Sequence, residues 1–245
     1  MSKTLTTKPK PRLSNRVALI TGTTRGIGLA IARSLAGEGC NLILTGRDES
    51  ALQRASRELP RIKILALPCD VRNPHSVDDL FREIRRHHSQ LDILINNAGI
   101  AHANIPIEKL PYPVWKDVLA TNVDGMFLVT QGSLPLMKRG AVIVNNLSIA
   151  ATRVFAGSAA YNASKHAALG FTNTLREELR AREIRVMGLL PGACDTDIWN
   201  TLWPQAPRRK MMNPETIAKA VLEAILLPSN ATVEMLEILP TAGTL

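Results

Sequence analysis

The stretch from Val17 to Gly37 reads VALITGTTRGIGLAIARSLAG and combines three local patterns. It begins with an apolar run of strand length and ends in a helical pattern, and Gly22, Gly26 and Gly28 lie between them. Such a turn lets a phosphate approach the backbone at a helix N-terminus, although an ordinary strand-to-helix connection has similar features. The stretch therefore predicts a strand–turn–helix unit and leaves a phosphate site as one of two interpretations.

The same alternation of strand and helix patterns continues along the chain. Apolar strands separated by helical segments are typical of βαβ units and of a parallel sheet covered on both faces. We therefore predict an α/β, doubly wound Rossmann fold, with a seven-stranded parallel sheet and helices on both faces. The predicted strands are VALIT (17–21), NLILT (41–45), KILALP (63–68), LDILIN (91–96), AVIVNNL (141–147), IRVMGLL (184–190) and TVEMLEIL (232–239).

The length of 245 residues favours one domain. Residues 1–14 are basic, contain prolines and have few large apolar groups, so we expect a disordered basic tail there. Residues 15–245 then form a single Rossmann-type catalytic domain. Within it, residues from about 193 to 212 are irregular and rich in Pro and Trp, which predicts a lid over a substrate.

Charge and cysteine content exclude several classes of partner. The net charge of +9 could indicate nucleic acid, but the densest basic run, Arg82–His88, falls on the solvated face of an amphipathic helix, and no nucleic-acid-binding motif is present. No apolar run approaches the roughly 20 residues of a membrane helix. The three cysteines lack metal-ligand spacing. We expect a cytoplasmic protein with neither a metal site nor a nucleic-acid or membrane partner.

Four further motifs follow predicted strands: CDV (69–71), NNAG (96–99), Ser148 and YNASK (161–165). Together with the glycine turn they resemble the short-chain dehydrogenase/reductase family in its single-domain form, from about Arg16 to Leu239. The resemblance implies an oxidoreductase that binds a nicotinamide dinucleotide at the carboxyl ends of the strands. The residues it implies along the cofactor are Gly22, Thr24, Arg25, Gly26, Ile27, Gly28, Arg47, Asp70, Val71, Asn97, Ala98, Gly99, Tyr161, Lys165, Pro191, Gly192 and Thr196.

The end of the second strand bears on the choice between NAD and NADP. An NAD site needs a carboxylate there for the ribose 2′-hydroxyl, whereas an NADP site needs a cation for the 2′-phosphate. Gly46 stands where the carboxylate would be, and Arg47 follows it. Asp48 precedes a helical run and is better placed as an N-cap. Since Arg25 and Arg47 match basic positions of NADPH-using family members, we expect NADP(H) as the cofactor.

Tyr161 and Lys165 are four residues apart and therefore share one face of a predicted helix. With Ser148 and Asn122 they match the catalytic set of the family. The hypothesis is that Tyr161 is the general acid or base and that Lys165 lowers its pKa from near 10. Ser148 would then bind the substrate oxygen, and Asn122 a water linked to Lys165. Trp199 and Trp203, four residues apart in the lid, either line the substrate pocket or pack into the core.

The predicted activity is the NADPH-dependent interconversion of a carbonyl and a secondary or primary alcohol. A 3-oxoacyl-[acyl-carrier-protein] reductase is an alternative within the family, and a catalytically silent NADP-binding regulator or scaffold is an alternative of another class. Sugar-nucleotide epimerases share the Tyr/Lys pair but need a larger C-terminal domain. The helices around residues 114–137 and 158–181 resemble those through which the family forms homotetramers or homodimers.

Overall fold

A computed structural model describes residues 11–60 and 62–244 of the chain. Within them, seven strands alternate with eight α-helices. The strands are β1 (Val17–Thr21), β2 (Asn41–Gly46), β3 (Ile64–Pro68), β4 (Leu91–Asn96), β5 (Met137–Asn146), β6 (Arg185–Pro191) and β7 (Met235–Ile238). The helices are α1 (Gly26–Gly37), α2 (Glu49–Arg57), α3 (Pro74–His87), α4 (Tyr112–Leu119), α5 (Gly125–Ser133), α6 (Ala159–Arg180), α7 (Ile198–Leu202) and α8 (Pro214–Ile225).

All the strand pairs of the sheet are parallel, in the order β3-β2-β1-β4-β5-β6-β7. The order reverses between β1 and β4, and this reversal opens a crevice at the carboxyl ends of the two strands. The predicted doubly wound sheet is confirmed. The glycine turn after β1 and the NNAG segment after β4 therefore meet at the position where such sheets bind ligands.

Helices cover both faces of the sheet, because each central strand contributes apolar side chains to both. In β1, Ala18 and Ile20 pack with α1, α2 and α8, while Val17 and Leu19 face α3, α5 and α6. Helices α3 and α5 approach each other closely at Gly132 of α5, because a Cβ added there would lie 2.3 Å from the ring of Phe81 in α3. The two layers hold the strand ends in fixed register.

Several predicted boundaries are wrong. Strand β5 begins at Met137 rather than at residue 141, and a register shift beside β4 accommodates Gly140 at a φ of 83°. Strand β7 is only four residues long and partly exposed, as an edge strand. Most of the predicted disordered tail, residues 1–10, lies outside the described residues.

The last part of the predicted tail, residues 11–14, is ordered and belongs to the domain. Arg12 is paired with Glu38 and Glu223, and the side chain of Leu13 is buried in the core. In the described part of the chain, no helix has the length and apolar character needed to cross a membrane.

Candidate active site

The glycine turn brings backbone groups to the N-terminus of α1. Gly22 and Gly26 have φ values of 67° and 59°, a region that side chains other than glycine rarely adopt. Arg25 is the N-cap residue, and its side chain makes no capping hydrogen bond. The N–H groups of the first turn of α1 are thus left for a ligand, and no acidic residue lies there. This cradle fits the pyrophosphate of a dinucleotide.

Asn97 fixes the shape of the turn from the neighbouring strand β4. Its Nδ2 donates to the carbonyl oxygens of Thr21 and Gly22, at 2.9 Å each. Thr21 Oγ1 in turn accepts hydrogen bonds from the backbone N–H groups of Asn97 and Ala98, also at 2.9 Å. Gly28 lies directly behind Asn97, because a Cβ there would be 2.3 Å from Nδ2. Gly22, Gly28, Asn97 and Ala98 were predicted to lie along the cofactor, but the hydrogen bonds and close contacts between them were not predicted.

The two predicted phosphate ligands lie on the same cavity. Arg47 is exposed at the end of β2, and Arg25 projects from the turn with 74% of its side chain exposed. Arg25 Nη1 lies 3.5 Å from a carboxylate oxygen of Asp197 in the lid. Asp48 has the predicted role, since it caps α2 by accepting from the N–H of Ala51 at 2.9 Å. The end of β2 therefore presents a cation and no free carboxylate.

Asp70, expected beside the adenine, already has a cationic partner. The Arg72 side chain donates to both of its carboxylate oxygens, with Nη2 2.7 Å from Oδ2. These hydrogen bonds hold the pKa of Asp70 below its ordinary value. Arg72 also contacts Asp117 and lines the cavity. Sequence reasoning missed Arg72, although its position directly after the CDV motif could have suggested it.

The four predicted catalytic residues come from three elements near the crevice. Ser148 follows β5; its Oγ accepts from the N–H of Ala150 at 3.1 Å, and its hydroxyl hydrogen is directed to Tyr161. Tyr161 and Lys165 lie on α6, with Nζ 5.6 Å from the centre of the tyrosine ring. Asn122 lies in a π-helical turn, Ala120–Asp124, of the kind often found at functional sites.

Asn122 connects the NNAG segment to α6. Its Oδ1 accepts from the N–H of Ile100 at 2.8 Å, and its Nδ2 donates to the carbonyl of Ile100 and to Ser164 Oγ. The side chain is buried behind the cavity wall rather than on it. A Cβ added to Gly99 would lie between Asn122 and Lys165, 3.3 Å from Oδ1 and 3.7 Å from Nζ. Asn122 is thus close to Lys165 and holds the wall in front of it.

The expected lowering of the Tyr161 pKa is wrong for this structure. Burial raises the pKa of Tyr161, and the hydrogen bond with Ser148 opposes this only in part. Lys165 does not correct it, because burial lowers the pKa of the lysine itself to about 8, and Nζ donates to the carbonyl of Asn146 at 2.9 Å. The phenol is therefore protonated near neutral pH, which suits a proton donor.

Asn146 lies on the cavity wall, and its contacts could not be predicted from the sequence. Its Nδ2 donates to Asn97 Oδ1 at 2.8 Å, while its backbone carbonyl accepts from Lys165. Its Oδ1 is buried without a hydrogen-bond partner among the described residues, and the residue lines the cavity. Asn146 therefore joins the glycine turn, through Asn97, to the lysine of α6.

The segment predicted to be a lid, residues 193–212, is closed at its base. Ala193 and Met212 are hydrogen-bonded through their backbones, as are Asp195 and Met212, and a β-bridge pairs Cys194 with Met212. Arg208 fastens the interior, since its guanidinium donates at 2.7 Å to Asp195 and to the carbonyl of Thr196. The role of Arg208 was not predicted from the sequence, because Asp195 and Thr196 are 13 and 12 residues away and reach it only through the path of the loop.

A cavity of about 780 Å³ runs along the carboxyl edge of the sheet. That volume suits a dinucleotide together with a small molecule. The predicted site residues line it except Gly28 and Asn122, which lie behind the wall. Trp199 and Trp203 both line the cavity, so neither packs solely into the core. Thr196 lies against the glycine turn, where a Cβ on Gly26 would be 3.2 Å from its methyl group.

Comparison with known proteins agrees with this arrangement. A family model described as short chain dehydrogenase matches residues 16–207. Sulfoacetaldehyde reductase 2 of Chromohalobacter salexigens is 33% identical over 230-odd residues, covering 92% of this chain and 94% of the relative. An alcohol dehydrogenase of Thermococcus sibiricus, complexed with 5-hydroxy-NADP, superposes with a TM-score of 0.86 at 28% identity, covering 92% of this chain and 97% of its own.

A 3-ketoacyl-(acyl-carrier-protein) reductase of Brucella melitensis, complexed with NADH, gives a TM-score of 0.84 at 28% identity. The match covers 93% of this chain and 98% of the reductase.

Proposed function

Because the chain belongs to the short-chain dehydrogenase family, we propose that it is an NADPH-dependent oxidoreductase that interconverts a carbonyl and a secondary or primary alcohol. One observation carries the proposal. A single continuous cavity connects the two arginines of the glycine turn and β2 with Ser148, Tyr161 and Lys165. A nicotinamide dinucleotide accounts for the first end of that cavity, and a carbonyl oxygen accounts for the second.

The side chains at the second end can bind and protonate an oxygen atom. When bound, the cofactor supplies the hydride for the carbonyl carbon. The hydroxyl of Ser148, which is directed to Tyr161 in the free protein, turns to donate a hydrogen bond to the substrate oxygen while Oγ continues to accept from the N–H of Ala150. Tyr161, whose pKa burial raises further above neutral pH, delivers the proton to that oxygen. Lys165, fixed on the Asn146 carbonyl, supplies positive charge beside the tyrosine.

Two cations at the adenosine end support NADPH over NADH. Each charge-assisted hydrogen bond to a 2′-phosphate contributes about 1.5–3 kcal/mol, or roughly 10- to 150-fold in affinity. In this structure Arg25 lies beside Asp197, with 3.5 Å between Nη1 and a carboxylate oxygen. That ion pair is exposed and long, so it stabilises the free protein by about 1 kcal/mol or less. The phosphate therefore competes successfully for the arginine.

The test compares the two cofactors in binding and in turnover. Arg25→Ala and Arg47→Ala should each lower the ratio of kcat/KM for NADPH to that for NADH by about 10-fold or more, and should weaken NADPH binding without weakening NADH binding. Arg57→Ala is the matched control, since Arg57 is an exposed residue of α2 outside the cavity. Equal or inverted preference in the unaltered protein would refute NADPH dependence.

A second experiment separates an enzyme from a cofactor-binding regulator. Tyr161→Phe should abolish turnover while NADPH still binds, because the phenolic oxygen alone is removed. Ketones, aldehydes and 3-oxoacyl thioesters form the substrate panel. The thioesters are included because the Brucella melitensis neighbour is a 3-ketoacyl-(acyl-carrier-protein) reductase. Tight NADPH binding without oxidation by any member of the panel would favour the regulator.

We also propose a cytoplasmic homotetramer or homodimer assembled through α5 and α6. Phe127 is 46% exposed on α5 and packs edge to face on Phe171 of α6, with 6.2 Å between ring centres. Phe171 is partly buried against the core, so it holds the exposed Phe127 ring on the surface, where the ring is suited to contact a second copy of the chain. The cytoplasm is proposed because the three cysteines are free and buried, as is usual in a reducing compartment.

A further inference from the structure

We propose that the substrate is an uncharged carbonyl compound with an apolar body, and that the site rejects carbonyl compounds bearing a carboxylate or a sulfonate. The inference rests on the proposed reductase function and adds the substrate class. It follows from the part of the cavity beyond Ser148 and Tyr161, which we call the outer chamber. We define it by six apolar residues of the cavity lining, Leu147, Val154, Phe155, Trp199, Leu202 and Trp203; Thr201, in the same helix as Trp199, adds one hydroxyl group to the lining.

The walls of the outer chamber direct their polar atoms towards the protein. The indole N–H of Trp199 donates to the carbonyl of Cys194 at 2.9 Å, so the ring presents carbon to the cavity. The other five wall side chains are hydrocarbon apart from the indole N–H of Trp203. Asn104 lies at the edge of the chamber, and its side-chain amide nitrogen donates to the carbonyl of Ala156 at 2.9 Å. A substrate body in this chamber therefore meets mainly carbon.

Charged groups of the cavity wall lie away from the outer chamber. The arginines and Asp70 are at the adenosine end, and Asp197 is paired with Arg25. Lys165 points to the Asn146 carbonyl beneath Tyr161. Arg153 and Arg208 do not line the cavity; Arg153 is paired with Glu237 at 2.8 Å, and Arg208 donates to Asp195 and to the carbonyl of Thr196. Among the described residues that line the chamber, none offers a cation to an anionic substrate.

The outer chamber also leaves apolar surface for a substrate to cover. Val154 is 79% exposed and Trp203 is 40% exposed, although both are large apolar residues. Each methylene group buried against such a wall strengthens binding about four-fold. A carboxylate or sulfonate would instead lose hydration without gaining a partner. The wall thus selects for apolar substituents and against anionic ones.

The two sides of this selection can be measured with one matched pair of ketones. 5-Methyl-2-hexanone and 4-oxopentanoate are methyl ketones of the same length, with an isopropyl group in one where the other has a carboxylate. We expect kcat/KM to be at least about 100-fold higher for the uncharged ketone. Sulfoacetaldehyde should also be a poor substrate, in contrast to what the name of the Chromohalobacter salexigens relative states.

Substitutions at the rim test the cause of the selection. Val154→Lys adds a cation at an exposed position, so it should raise kcat/KM for 4-oxopentanoate by about 10-fold and lower it for the ketone. Val154→Ala is the control and should lower kcat/KM for the ketone without improving the anion. Saturation-transfer NMR measures binding of the ketone in the absence of cofactor and gives a second readout that needs no turnover.

The outcomes separate the two proposals. Turnover of the anion equal to or better than that of the ketone would overturn the substrate class and leave the reductase function intact. Absence of turnover with every carbonyl compound would overturn the reductase function. In that case, ketone binding that is blocked by Val154→Lys would still support the apolar chamber, and no ketone binding would overturn it.

Discussion

Replacing Gly28 by alanine tests whether close packing holds the glycine turn. The new Cβ would lie 2.3 Å from Asn97 Nδ2 and 2.4 Å from the carbonyl oxygen of Gly22, whereas ordinary contacts are 3.4–4 Å. One of these atoms is backbone and cannot turn aside. Either the turn moves, or the Asn97 amide moves and loses its hydrogen bonds to Thr21 and Gly22.

The magnitude follows from three contributions. Overpacking of this kind costs about 1–3 kcal/mol. Loss of the two hydrogen bonds costs about 0.5–1.5 kcal/mol each. Alanine recovers about 1 kcal/mol of helix propensity relative to glycine. The free energy of unfolding should therefore fall by about 3 kcal/mol, which for a chain of this size lowers Tm by roughly 6–12 °C.

Thermal unfolding monitored by circular dichroism, together with NADPH titration, measures both consequences. Gly37→Ala is the matched control, because Gly37 is in the same helix and a Cβ there meets nothing within 4 Å. That variant should melt at the same temperature or slightly higher. Gly28→Ala should also bind NADPH at least about 10-fold more weakly. A Tm for Gly28→Ala within about 1 °C of the unaltered protein would refute the packing argument.

Three other substitutions test the site and the assembly. The pKa of Lys165 is lowered from 10.5 to about 8, so its charge destabilises the fold below pH 8, and this cost disappears between pH 8 and 10.5. Lys165→Met removes this cost but also loses the hydrogen bond to Asn146, so its free energy of unfolding in urea at pH 7 should be about 2 kcal/mol higher than that of the unaltered protein. This difference should close by pH 10. A difference in unfolding free energy that stays constant with pH would contradict the argument. Asn146→Leu removes the hydrogen bond to Asn97, so it should weaken NADPH binding about 10-fold and lower Tm by roughly 2–4 °C; unchanged binding would show that Asn97 needs no such support. Phe127→Glu should yield a smaller species in light scattering, whereas an unaltered mass would place the interface elsewhere.

The sequence predicts the sheet well because strands buried on both faces appear as plain apolar runs. The site residues follow from the same pattern, since parallel strands bring their carboxyl ends to one edge and the motifs stand directly after the strands. Asp48 as an N-cap was predictable for a similar reason, because a cap depends on neighbours within three residues. These features are local, or are repeated along the chain.

The features that escaped prediction depend on contacts between distant segments. Asn146 binds Asn97 only because β4 and β5 are neighbours in register. Arg25 faces Asp197 through the path of the lid, and Leu13 is buried through the ordering of residues that look like a tail. The pKa of Tyr161 depends on how completely the surrounding protein excludes water, and the i, i+4 spacing with Lys165 carries no information about that.

The closed base of the lid has a kinetic consequence. Because Ala193 and Cys194 are joined to Met212, the segment cannot open by fraying from one end. If the predicted lid opens, it would have to rotate as a unit about this base, and loop movements of this kind take microseconds to milliseconds. The Arg25–Asp197 pair crosses the opening and is exposed to dissolved ions. Ionic strength would then alter the rate at which product leaves, even with an uncharged product.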